Sequence, residues 1–108
     1  MRKIEQQMNT AISENRDWQS GNTSVNHCDG VAIVRLHGNL IAEVGDNFVR
    51  LFDGGWQSNT TKSRLNAILG AHGMPGECLF QKNFDWFVRI NTGNGMDTIP
   101  FFSSMRLA

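Results

Sequence analysis

The residues best placed to do chemistry are those of the run Asn59-Thr60-Thr61-Lys62-Ser63-Arg64. Read as the first turn of a helix, they bring two hydroxyls and two cations to free backbone N–H groups and the positive end of the helix dipole. That combination can hold a phosphate or a carboxylate. Plain capping explains the threonines as well. Thr60 or Thr61 at the N-cap satisfies an orphan amide, and Lys62 and Arg64 then face water. Arg35 and Arg50 fall on strands next but one to each other, and they extend the basic set if they share a face. Trp56 follows Gly54-Gly55 directly before the helix and is the tryptophan expected nearest to solvent, whereas Trp18 and Trp86 read as core. An exposed indole beside cations stacks on a nucleobase or anchors a protein partner.

Other constellations fall short of a motif. His27, His37 and His72 are not spaced as metal ligands, and the adjacent His27-Cys28 would point to opposite faces of a strand. The serines lack the strand–turn–helix setting of a nucleophile elbow. No acidic cluster offers a metal to a nuclease or hydrolase. Gly93-Asn94-Gly95 does not lead from a strand into a helix, as a dinucleotide loop must. The sequence predicts no catalytic residue, no metal site and no cofactor, and it names no reaction.

The elements that position these residues follow from periodicity and turn chemistry. Ile4, Met8, Ala11 and Ile12 make one face of an N-terminal helix that ends by about Asn15, with Glu5, Gln6, Gln7 and Asn9 off the stripe. Gln19 to Asn22 reads as a loop. Four β-type runs then alternate with turn dipeptides: 22–28, Asp29-Gly30, 31–37, Gly38-Asn39, 40–44, Gly45-Asp46, and 47–52. Asp-Gly suits a type I′ turn, and Gly-Asn or Gly-Asp a type II′ turn. Three such dipeptides in succession predict an up-and-down meander. A second helix runs from Thr60 or Thr61 to Gly70 or Gly73, with Leu65, Ile68 and Leu69 on its apolar face. A hairpin turning at Lys82-Asn83 follows, with Phe84, Trp86, Val88 and Ile90 on one face and Asp85, Phe87 and Arg89 on the other. A last strand covers about Thr98 to Phe102, where Pro100 marks an edge. The expected fold is a single α+β domain over 1–108, an antiparallel β-meander with an N-terminal and a central helix, in the order αββββαβββ.

Composition narrows the function classes. Ten basic and ten acidic side chains give a formal net charge of zero. A non-specific DNA binder draws its affinity from a basic excess that is missing here. Low net charge favours association, including a homo-oligomer. No apolar run is long enough to span a membrane, and the first residues do not form a signal peptide. Cys28 and Cys78 are expected to be reduced thiols in a cytosolic setting.

Several runs resemble a known family. They are Gly21-Asn22-Thr23-x-Val25, Val34-Arg35-Leu36-His37-Gly38-Asn39-Leu40-Ile41-Ala42, Gly55-Trp56, and Thr60-Thr61-Lys62-Ser63-Arg64-Leu65-Asn66-Ala67. Gln81-Lys82, Trp86-Phe87-Val88 and Pro100-Phe101 continue the likeness. From about Trp18 to the C-terminus the chain is similar to small proteins, without an established activity, of tailed bacteriophages, including cyanophages and other podovirus-like phages. Ser103-Ser104-Met105 departs from the Asp-Gly expected before the final Met. The resemblance implies a phage origin, action in the host bacterial cytoplasm and no enzymatic activity. It points to a protein that binds a host or phage protein. The residues themselves keep nucleic-acid binding, through Thr60, Thr61, Lys62, Arg64, Arg35, Arg50 and Trp56, as the alternative.

Overall fold

The computed structural model describes residues 2–107. Its elements are α1 (Lys3–Ser13), β1 (Trp18–Ser20), β2 (Thr23–Cys28), β3 (Val31–Leu36), β4 (Asn39–Val44), β5 (Val49–Leu51), α2 (Asn59–His72), β6 (Cys78–Lys82), β7 (Asp85–Asn91), β8 (Met96–Pro100) and β9 (Met105–Leu107). One antiparallel sheet has the order β1-β2-β3-β4-β5-β9, and a second has the order β6-β7-β8. The expected α+β class and the meander are both present.

Alternation decides which face of each strand is buried. Val25, Ala32, Val34, Leu36, Ala42, Val44, Val49 and Leu51 turn inwards. They share one core with Met8, Ala11 and Ile12 of α1, Leu65, Ile68 and Leu69 of α2, and Leu79, Trp86 and Val88 of the second sheet. Fully burying one such large aliphatic chain contributes about 1.5–3 kcal/mol. Helix α2 contacts α1, β4, β5 and β6, so it joins the two sheets. The β3–β4 register shifts between Val34 and Arg35, which pair with Ala42 and Leu40. Ile41 is the extra residue of this bulge, and the bend lets Ile41 and Ala42 both turn inwards.

The turns differ from expectation in instructive ways. Asp29 and Gly30 both take positive φ, 51° and 80°, as a type I′ turn requires. In the next hairpin His37 and Gly38 do so, at 53° and 80°, so the turn sits one residue earlier than Gly38-Asn39. After β4 the chain needs four residues, 45–48, rather than a Gly45-Asp46 turn, and it closes with Gly45 N–H donating to Phe48 C=O at 3.0 Å. The Phe48 ring lies over Gly45 so closely that any β-carbon there would collide with it. The β6–β7 hairpin turns at Asn83-Phe84, with φ of 52° and 69°. Phe84 therefore leaves the buried face, while Trp86 and Val88 stay on it and Ile90 packs against the core.

Two short strands were not expected. β1 occupies part of the predicted 19–22 loop and pairs with β2. β9 pairs with β5 and extends the first sheet from the far end of the chain. Helix α1 also departs from its predicted stripe, because Glu5 and Asn9 are buried with Met8 and Ile12.

Candidate functional site

The start of α2 is where the sequence placed its anion site. The N-cap is Ser58, two and three residues before the threonines, and its Oγ accepts from Thr61 N–H at 3.1 Å. Thr61 is buried, and its hydroxyl lies 3.0 Å from Ser58 Oγ and donates to Trp56 C=O at 3.3 Å. Thr60 is half-buried in the first turn. Lys62 Nζ donates to Gln81 Oε1 at 2.9 Å, tying α2 to β6.

Arg64 requires a correction. It faces the interior, not water, and is 3% exposed against Glu5, also 3% exposed. Its Nη1 donates to Glu5 Oε2 at 2.8 Å, its Nε to Thr23 Oγ1 at 3.0 Å and its Nη2 to Asn22 Oδ1 at 3.3 Å. Ser63 Oγ donates to the same Glu5 oxygen at 2.6 Å. One guanidinium thus binds α1, the β1–β2 turn and α2 together. A carboxylate and a guanidinium leave water at low cost only when they are paired and hydrogen-bonded, and here all three guanidinium nitrogens donate and the Glu5 Oε2 accepts twice. Asn22, Thr23, Ser63 and Arg64 meet at this buried network, so Arg64 holds the scaffold together.

Arg35 and Arg50 do share a face. Both lie on the outer side of the six-stranded sheet, away from α2, about 12 Å apart by strand spacing. They therefore do not join Lys62 or Trp56. Two residues missed by the sequence complete this face. Arg106 stands directly opposite Arg50 on β9, and the Phe48 ring carries both guanidiniums.

The three-stranded sheet also has an outer face, and it is aromatic. Phe80, Phe87 and Pro100 pair directly across β6, β7 and β8 and form one cross-strand row. The rings of Phe80 and Phe87 stack with centroids 5.8 Å apart. Phe84, in the adjoining turn, is 91% exposed, and Phe102, two residues beyond Pro100, is 58% exposed. Trp56 is 75% exposed at the same end of the molecule, where α2 begins. Trp56 is the most exposed of the three tryptophans, as expected, and is not the packing residue that its type favoured. The sequence placed Phe87 on a face with Asp85 and Arg89, but its row with Phe80 and Pro100 arises only from strand pairing.

The full length of the chain, residues 1–108, matches the family model of the Kyanoviridae Gp96 protein, a cyanophage family. The chain belongs to this family. No curated protein and no solved structure matches it significantly. The phage origin implied by the resemblance therefore holds, and the likeness extends back through α1.

In this Kyanoviridae Gp96 chain, His27 and His72 line one cleft of about 470 Å³ with Ser13, Asn15 and Asp46. The Nε2 atom of each imidazole is buried without a hydrogen-bond partner. His27 is held at Asp17, whose Oδ1 accepts from His27 N–H at 2.9 Å and lies 3.4 Å from Nδ1. The backbone hydrogen bond first, and then the imidazole, hold the Asp17 carboxyl below its usual range. Burial pushes the His72 pKa down. Among the described residues no group of three His, Cys, Asp or Glu side chains is arranged to hold a metal. Cys28 and Cys78 are free thiols. No helix of the described residues is long and apolar enough to cross a membrane.

Proposed function

We propose that this protein is a non-enzymatic interaction module, acting in the cytoplasm of the infected bacterium, that binds a host or phage protein through the outer face of its three-stranded sheet. The observation that carries this reading is the aromatic row Phe80, Phe87 and Pro100, extended by Phe84 and Phe102. Phe84 and Phe102 alone present about 300 Å² of apolar surface, the scale of a functional patch on a monomer. Rigid aromatic side chains lose little rotamer freedom on binding and dominate interface energetics. The nucleic-acid alternative is less well supported. Of its cations, Arg64 is buried and Lys62 is engaged with Gln81, which leaves Arg35 and Arg50 on a different face from Trp56.

The test is quantitative crosslinking and mass spectrometry in infected cells, comparing the wild type with Phe84→Ser/Phe102→Ser. Both positions are exposed, so the variant should melt at nearly the wild-type temperature. The expected result is one protein captured in proportion to the wild type and lost with the variant. Equal recovery of the same proteins by both chains would overturn the proposal. Light scattering identifies the partner as a second copy if the wild type is dimeric and the variant monomeric.

A further inference from the structure

The outer face of the six-stranded sheet has a different chemistry. Arg50 and Arg106 oppose each other directly on β5 and β9. Their guanidiniums sit 5.9 and 4.6 Å from the centroid of one ring, Phe48. Like charges directly opposite in a sheet repel. Glu43 lies 3.3 Å from Arg50, but among the described residues neither Arg106 nor Arg35 has an ion-pair partner. Three arginines against one glutamate leave two net positive charges on this face, in a chain whose total is zero. Ile33, opposite Glu43, and Leu40, opposite Arg35, stand beside the charges, both half-buried.

We propose that this face docks an acidic, partly apolar segment of a protein partner. Its carboxylates meet Arg35 and Arg106, and its apolar side chains cover Ile33 and Leu40. Guanidinium is the cation that pairs with carboxylate in a fixed, bidentate geometry. Stacking on Phe48 holds two of the three arginines before binding, so less side-chain freedom remains to be lost. Single-stranded nucleic acid fits less well. Its binding uses free aromatic rings on which bases stack, and the ring on this face already carries two guanidiniums. The proposal rests on the interaction-module reading but uses the other sheet, so the two can fail separately.

The experiment titrates the whole chain, observed by amide NMR, with three probes: a synthetic peptide of repeated glutamate–glutamate–leucine triplets, an oligothymidine of similar length, and inorganic phosphate. The expected result is that the peptide shifts the amides of Ile33, Arg35, Arg50 and Arg106. Its affinity should fall at least about tenfold in Arg35→Gln/Arg106→Gln, and stay unchanged in Phe84→Ser/Phe102→Ser. The arginine variant keeps the Arg50–Glu43 pair, and an unaltered melting temperature shows that it is folded. Tighter binding of oligothymidine than of peptide would overturn the proposal in favour of nucleic acid. Equal effects of phosphate and peptide, or shifts that do not map to this face, would overturn it outright.

Discussion

Replacing Glu5 by glutamine removes the one negative charge facing the Arg64 guanidinium while keeping the shape of the side chain and a carbonyl acceptor. The other two acceptors of Arg64, Thr23 Oγ1 and Asn22 Oδ1, are neutral, so the variant leaves a buried cation without compensation. Both partners are 3% exposed, and solvent does not screen the change. Breaking a buried pair from one side costs about 3–5 kcal/mol, and the retained acceptor places Glu5→Gln near the lower end. A domain of this size has about 5–15 kcal/mol in total. With a urea slope of about 1.5 kcal/mol/M, the midpoint should fall by about 2 M. Glu5→Leu combined with Arg64→Met should be more stable than either single change, because no charge is then left alone. A Glu5→Gln loss below about 1 kcal/mol, or a double variant that loses as much as the two singles added, would refute this account of the network.

Two further perturbations follow from the same kind of geometry. Asn66 bridges α2 to β6, accepting from Leu79 N–H at 2.7 Å and donating to Leu79 C=O at 2.8 Å. Asn66→Ala should cost about 1–3 kcal/mol and speed hydrogen exchange at Leu79, and an unchanged Leu79 rate would contradict it. His72 has a folded pKa held below its ordinary 6.5 by burial, so the unfolded chain binds the proton more readily. Its stabilising contribution is complete above pH 6.5 and declines as pH falls below that value towards the folded pKa. His72→Gln should therefore flatten the stability curve on the acid side of neutrality, and parallel curves for the two proteins would count against burial as the cause.

The sequence made the architecture legible where local chemistry governs it. Asp29-Gly30 turned as its types demand, and the apolar stripes of α1 and α2 found the core. The hairpin after β3 slipped by one because His37 accepts positive φ beside Gly38, which spares Asn39 for the strand. β1 and β9 have three residues each, too few for a period, and β9 finds its partner only after a long return of the chain. The candidate site was harder. Arg64 looked like a surface cation because it follows hydroxyls and a lysine. Its burial depends on Glu5, which lies 59 positions away. One signal was available: Glu5, Met8 and Ile12 stand at i, i+3 and i+7, so Glu5 belongs to the buried side of its helix. The aromatic row and the arginine face are products of strand pairing, which no single segment encodes.

The Glu5–Arg64 pair also sets an order of events during synthesis. A bacterial chain grows at about 5–20 residues per second, so Arg64 follows Glu5 by about 3–12 s. Throughout that interval α1 carries a carboxylate on its apolar side and cannot dock on the early strands without stripping that charge of water. The burial of Glu5 becomes less costly once Arg64 exists, which favours docking of α1 after α2.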